Sequence, residues 1–229
     1  SRGLGDVYKR QPGQLGDGAE AIAGFGQRGS AGDLSGRALP SASTRAHLVA
    51  ADPVDKSFVL GFTSRYLQAD ISNDFVAGYV RKHPDKLIGF AGIDPTDPRA
   101  AVAEMHRAVH ELGMKGVAVS PAAQDFHPAN SQAMQIYAEA ARLGVPVLFN
   151  HGPRLTSRCK LEYARPFLLD EVARELPELR IIIAHLGYPW PDETIVLLAK
   201  HPGVYADISG LLDQPWQAYQ ALLSAYQYG

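Results

Sequence analysis

Residues 145–152 read VPVLFNHG and residues 181–187 read IIIAHLG, and these two segments decide the fold. Each is a short hydrophobic run that ends in a histidine, with a glycine one or two residues later. The two histidines, His151 and His185, lie 34 residues apart. A strand, a helix and a second parallel strand need a segment of about this length, roughly 30 residues. The pair therefore predicts one βαβ unit.

The same rhythm continues outward from these segments. Six apolar, β-branched runs begin 30, 29, 30, 35 and 23 residues apart: Ser57–Gly61, Leu87–Ala91, Gly116–Val119, Pro146–Phe149, Ile181–Ala184 and Val204–Asp207. Amphipathic helical patterns lie between them, such as the one with Asp97 as its N-cap and Pro98 in its first position. Nearly continuous hydrophobic strands that alternate with helices predict a parallel sheet buried on both faces. The spacing alone allows a doubly wound sheet or a (β/α)8 barrel.

Residues 1–44 differ in composition from the remainder. Ten of the 22 glycines fall within residues 1–40, where large apolar residues are sparse. Because such a segment buries too little surface to offset its ordering entropy, we predict a loose, non-native or disordered segment. The run Gly24–Gly29 has the spacing of a dinucleotide-binding fingerprint, but it lacks the preceding strand and following helix. A nucleotide-binding α/β module is therefore the weaker alternative.

Charge and composition exclude several classes of protein. The formal charge is −2 and the isoelectric point is about 6.4, so no basic field attracts nucleic acid. The single cysteine, Cys159, cannot form an intramolecular disulfide. The apolar runs fall far short of the roughly 20 residues needed to span a bilayer. We expect a cytoplasmic protein with no membrane partner.

The position of the two histidines is the functional signal. The active sites of barrels are built at the carboxyl ends of the strands, where both imidazoles would stand. Neutral imidazole binds metals and acts as a general base near neutral pH. A hydrogen bond to a loop carbonyl would explain one such histidine. Two matched ones favour a functional site.

Residues 45–229 resemble the amidohydrolase superfamily, in the branch that includes aminocarboxymuconate-semialdehyde decarboxylase. The resemblance is carried by LIGFAGIDP (87–95), GMKGVAVSP (113–121), VPVLFNHG (145–152), IIIAHLGYPW (181–190) and VYADISG (204–210). It implies an α/β fold, a TIM-like (β/α)8 barrel that is incomplete here, with about six βα units present. The chain thus looks like a fragment without the first and last barrel strands.

The resemblance also implies a divalent metal, usually a single zinc ion. It makes His151 a metal ligand and His185 the neighbouring residue that acts on the metal-bound water or the substrate. The family takes further ligands from a His-x-His pair and a late aspartate. Neither is found here, so we expect this fragment to bind metal poorly.

The implied function is that of a metal-dependent carboxy-lyase or hydrolase acting on a small unsaturated or aromatic carboxylate. A catalytically inactive fragment or structural homologue is the alternative, and the sequence permits a homodimer. Trp190 and Arg154 are the candidates for substrate binding, by walling the pocket or steering an anion. Asp207 and Ser209 fit a hydrogen-bonded structural pair as well as a substrate contact. His106 and His110, four apart on a helix, are expected at the surface.

Overall fold

The computed structural model describes residues 8–10, 44–151, 157–211 and 215–228. Its strands are β1 (Tyr8–Arg10), β2 (Ser57–Leu60), β3 (Phe62–Ser64), β4 (Ala69–Ile71), β5 (Leu87–Gly92), β6 (Gly116–Val119), β7 (Val147–Phe149), β8 (Ile181–Ile183) and β9 (Val204–Ala206). Its α-helices are α1 (Thr44–Ala51), α2 (Asn73–Lys82), α3 (Pro98–His110), α4 (Pro121–Gln124), α5 (Ser131–Arg142), α6 (Leu169–Glu175), α7 (Pro191–Lys200) and α8 (Pro215–Tyr228). Within these ranges no helix is long and apolar enough to cross a membrane.

The six predicted strands form one parallel sheet in the order β2-β5-β6-β7-β8-β9. Spatial order follows chain order, with no point at which it reverses. A doubly wound sheet has such a switch point, so the order excludes that architecture. The prediction of an incomplete TIM-like barrel is confirmed.

A seventh strand extends the sheet beyond the six predicted. β1 lies within the segment that the sequence analysis expects to be loose, and it pairs in parallel with Ser57–Val59 of β2. The physical reason is that the outer edge of β2 offers unpaired backbone N–H and C=O groups, which even a three-residue strand can satisfy. The remainder of that segment up to residue 43, including the glycine run Gly24–Gly29, lies outside the described residues.

Two apolar layers cover the two faces of the sheet, because successive side chains on a strand point to opposite sides. The outer layer is the large core between sheet and helices, with Met105, Ile136 and Phe149 among its buried members. The inner layer takes one residue from each of β2, β5, β6 and β7 and one from the end of β8: Leu60, Phe90, Ala118, Leu148 and Ala184. Such a column of inward side chains is what fills the interior of a barrel.

The helix α3 begins where the sequence predicts. Asp97 caps α3 by accepting a hydrogen bond from the N–H of Ala100, with Pro98 in the first turn. Asn130 caps α5 in the same way through the N–H of Ala133. α2 lies between β2 and β5, where the alternation of strands and helices predicts a helix, whereas the antiparallel hairpin β3–β4 is an addition that the sequence analysis did not predict.

The hairpin brings the backbone against the end of β5 at Gly92. A Cβ atom placed on Gly92 would lie 2.3 Å from the amide nitrogen of Phe62 and 2.4 Å from the carbonyl carbon of Gly61. The side chain of Asn73 also bridges both backbone groups of Gly92, accepting from its N–H at 2.8 Å and donating to its carbonyl at 3.1 Å. No side chain fits between these backbones.

We therefore expect Gly92→Ala to lower the free energy of unfolding by about 1–3 kcal/mol, because the obstructing atoms belong to the backbone and cannot move aside. Urea unfolding followed by circular dichroism measures the effect. Gly78→Ala is the matched control, since no atom lies within 4 Å of a Cβ atom on this α2 residue. There we expect a gain of roughly 0.5–1 kcal/mol from helix propensity. Equal effects of the two substitutions would contradict the close approach at Gly92.

Candidate active site at the strand ends

His151 and His185 follow two strands that lie side by side. β7 pairs with β8 in a register that sets Val147 opposite Ile181 and Phe149 opposite Ile183. His151 follows Phe149 by two residues and His185 follows Ile183 by two residues, so both leave the carboxyl edge of adjacent paired strands. Neighbouring strands run about 4.8 Å apart, so the two histidines leave the sheet as neighbours. Their chemical roles stay predictions.

The ring of His151 is fully buried and oriented by a backbone carbonyl. Its Nδ1 lies 2.6 Å from the carbonyl oxygen of Ala164, in the 3₁₀ turn Leu161–Ala164. A carbonyl only accepts, so Nδ1 carries the proton, and in the neutral ring Nε2 holds the lone pair. The ring also lies nearly parallel to that of Phe149, with 6.3 Å between centroids. Metal-binding histidines are commonly fixed in this tautomer by such a carbonyl.

The backbone at His185 turns sharply out of β8. His185, Leu186 and Gly187 have φ angles of 57°, 50° and 68°, three left-handed residues in succession. A non-glycine residue there costs about 1–2 kcal/mol, so the surroundings must hold it. Gly187 is required for space as well, because a Cβ atom would lie 2.2 Å from Oγ1 of Thr194.

Asp207 and Ser209 provide that hold from the end of β9. Asp207 Oδ1 accepts from the backbone N–H of His185 at 3.1 Å, from the N–H of Ser209 at 3.0 Å and from the Ser209 hydroxyl. His185 Nδ1 in turn lies 2.6 Å from the carbonyl oxygen of Ser209. Of the two interpretations that the sequence left open, the hydrogen-bonded pair is the one found. The sequence analysis missed the hydrogen bonds that join this pair to His185. His185 and Asp207 nevertheless follow two predicted strands that are neighbours in the sheet.

Three further buried polar residues at this edge escaped the sequence analysis: Asp94, Ser120 and Gln124. Gln124 donates to the carbonyls of Thr63 and Ile93, which ties the hairpin to the end of β5. Asp94 and Ser120 each directly follow an apolar run, which is a signal in the sequence, whereas Gln124 ends the short helix α4 and has no such signal. They join the loops around the site to the sheet.

The two predicted substrate-binding residues have different outcomes. The ring of Trp190 lies under the guanidinium group of Arg165, 5.1 Å from its carbon to the ring centroid. The backbone N–H of Trp190 donates to the carbonyl of Gly187 at 3.0 Å, so Trp190 borders the His185 turn. Arg154 lies outside the described residues.

The helical histidine pair belongs to a surface ion-pair cluster. His110 is exposed, and Nε2 of His106 contacts Glu139 on the neighbouring helix α5. The hydrogen bond from Arg142, with a smaller one from His106, lowers the pKa of Glu139 to about 2. His106 thus links α3 to α5, and the ring of His110 lies against that of His106, with 5.7 Å between centroids.

A metal site needs more ligands than this set supplies. Among the residues that the structure describes, no three histidine, cysteine, aspartate or glutamate side chains come together as a metal-binding group. His151 and His185 provide two imidazoles, and Asp207 Oδ1 is occupied by the turn that it supports. Because zinc sites take three or four protein ligands, these donors alone do not form a complete site.

Known proteins resemble this chain in both sequence and fold. The gamma-resorcylate decarboxylase of Rhodococcus jostii is 29% identical over 165 residues, which are 60% of this chain and 50% of that enzyme. The chain thus spans about half the length of the curated relatives that it matches.

Many solved structures share the fold. An uncharacterised TIM-barrel protein from Bordetella bronchiseptica has a TM-score of 0.69 at 22% identity, covering 91% of this chain and 78% of the other. A dihydroxybenzoic acid decarboxylase from Polaromonas sp., with bound manganese and the inhibitor 2-nitroresorcinol, has a TM-score of 0.66 at 19% identity, covering 97% and 83%. The profile of the amidohydrolase family matches residues 40–227. This chain belongs to the amidohydrolase family.

Proposed function

We propose that the protein is a carboxy-lyase that removes carbon dioxide from a small hydroxylated aromatic carboxylate. The observation that carries this proposal is the pair of strand-end histidines, each of which donates a hydrogen bond from Nδ1 to a backbone carbonyl. Both imidazole rings therefore have a defined tautomer, and both leave the sheet at the same edge. The decarboxylase relatives support the choice of reaction over hydrolysis.

His185 is the proposed proton-transfer residue. In its charged form Nε2 gives a proton to the ring carbon that bears the carboxylate. The bond from that carbon to the carboxylate then breaks, carbon dioxide leaves, and the bonding electrons restore the aromatic ring. The neutral imidazole regains its proton from solvent, so one proton is consumed for each carbon dioxide released. A positioned acid of this kind contributes about 10²–10⁴-fold to a rate.

His151 is the proposed metal ligand. The resemblance implies one zinc ion, and the manganese in the Polaromonas sp. decarboxylase makes manganese the other candidate. The remaining ligands would come from outside the described residues, since those described supply too few. Trp190 stays a candidate wall of the substrate pocket, as does Arg154 for steering the carboxylate.

We expect two substitutions in the whole protein to separate these roles. His151→Ala should abolish stoichiometric metal, because one ligand of a small set is removed. His185→Ala should keep most of the metal and lose about 10²–10⁴-fold in turnover, because only proton transfer is affected. Metal analysis and carbon dioxide release from 2,6-dihydroxybenzoate measure the two properties.

His110→Ala is the control for these variants, since His110 lies exposed on α3 away from the strand ends, and it should leave both properties unchanged. Full turnover by His185→Ala would contradict its role. Hydrolysis of an ester or amide without carbon dioxide release would favour the hydrolase alternative, and absence of any turnover would favour an inactive homologue.

The 229-residue chain by itself should bind less than one equivalent of zinc or manganese, because its described donors do not form a three-ligand group. Dialysis against each metal followed by elemental analysis tests this expectation. One tightly held equivalent, lost in His151→Ala, would mean that this chain alone carries a complete ligand set.

A further inference from the structure

Two strands of the sheet end in the same side-chain turn. Asp94, after β5, accepts from the backbone N–H of Thr96 at 3.0 Å and from its hydroxyl at 2.7 Å. Asp207, after β9, accepts from the backbone N–H and the hydroxyl of Ser209. Each aspartate also accepts a backbone N–H from another segment, Arg65 for Asp94 and His185 for Asp207. Both carboxylates are buried.

The turn at Asp207 also makes a hydrogen bond to an imidazole ring, that of His185. The carbonyl of Ser209 lies 2.6 Å from Nδ1 of His185, and the carbonyl of Asp207 accepts from the N–H of Leu186 at 2.6 Å. The turn thus contacts the strained left-handed segment at its first two backbone amides and at its ring. These contacts come from one carboxylate and the backbone that it shapes.

The chemistry of Ser209 fixes the position of the proton on His185. The Ser209 hydroxyl donates its only proton to Asp207 Oδ1, so toward Nδ1, 3.1 Å away, its oxygen can only accept. The Ser209 carbonyl can likewise only accept. Both oxygens around Nδ1 therefore require an N–H there, which makes Nε2 the nitrogen that exchanges a proton with the reacting site.

We propose that Asp207 is a positioning residue that holds His185 in the Nδ1–H tautomer by shaping the Ser209 turn. Its functional meaning rests on the proposed function, which gives His185 the proton transfer. Asp207 Oδ1 is the common acceptor of three donors, the N–H of His185 and the N–H and hydroxyl of Ser209. Without this carboxylate, the Ser209 carbonyl no longer has a fixed place opposite Nδ1. The ring is then free to take the Nε2–H form.

The test is the tautomer of His185 in the 229-residue chain, read by long-range ¹H–¹⁵N correlation of histidine-labelled protein. Measurement at about pH 8.5 keeps an ordinary imidazole, of pKa near 6.5, neutral. The signals of His185 are assigned by their loss in His185→Asn. We expect the Nδ1–H form to dominate in the wild-type chain.

Asp207→Ala should reduce the ratio of Nδ1–H to Nε2–H by about two- to tenfold, the equivalent of one ordinary hydrogen bond. Asp207→Asn should keep the ratio, because its amide oxygen replaces Oδ1 as the acceptor. Asp94→Ala is the matched control: it breaks the same turn at β5, far along the sheet, and should leave His185 unchanged. An unchanged ratio in Asp207→Ala, or an equal change in Asp94→Ala, would overturn the proposal.

If Asp207→Ala does not fold, as judged by circular dichroism, Ser209→Ala replaces it. This variant removes one donor to Asp207 and one acceptor near Nδ1, so a smaller fall of the same ratio is expected, and no fall would overturn the proposal. Because the tautomer is read without turnover, a shift in Asp207→Ala supports positioning even if the whole protein releases no carbon dioxide. That second result would contradict the proposed function alone.

Discussion

The parallel hydrogen-bonded ladder from β2 to β9 is the constraint on which the rest of this structure depends. Because its strands run in one direction, all their carboxyl ends meet at one edge of the sheet. The strands are short, three to six residues, so the chain leaves the ladder abruptly at that edge. Every loop that follows must satisfy the backbone groups that the ladder no longer pairs. The polar character of this edge is a consequence of that need.

Buried side chains supply the missing partners at these strand ends. Asn73 bridges the N–H and carbonyl of Gly92, and Gln124 donates to the carbonyls of Thr63 in β3 and of Ile93 just after β5. Asp94 and Asp207 each organise the turn that follows their strand. A buried polar group left unsatisfied costs about 1–3 kcal/mol, so each of these contacts matters to folding. The edge is therefore ordered by the protein itself before any ligand is considered.

The two histidines are held by the same kind of contact. His151 and His185 each give Nδ1–H to a backbone carbonyl, which aims Nε2 away from the loop that holds the ring. A group fixed in orientation and tautomer needs less reorganisation when a reaction begins. The left-handed turn at His185 is strained, and it persists because Asp207, Ser209 and the space at Gly187 together define it. Membership of the amidohydrolase family describes the scaffold, whereas these contacts describe what the site can do.

Local signals in the sequence determined the six strands and the start of α3, whereas their spacing left the strand order open. Hydrophobic runs mark strands, and caps such as Asp97 and Asn130 act within three residues of their own position, so both can be recognised without tertiary contacts. The same signals located His151 and His185 at strand ends. They could not reveal β1 or the hairpin β3–β4, because the sequences YKR, FTS and ADI contain no hydrophobic run and these strands form only where a partner edge exists.

Tertiary structure alone decided how the two imidazoles are held. His151 finds its acceptor 13 residues further along the chain at Ala164, and His185 finds its own 24 residues further at Ser209. Which carbonyl faces a ring depends on how loops from different strands pack together. The sequence therefore determined where the histidines leave the sheet, and packing between distant segments determined their tautomer. The physical reason is that strand formation is dictated by neighbours in the chain, whereas a hydrogen-bond partner is dictated by neighbours in space.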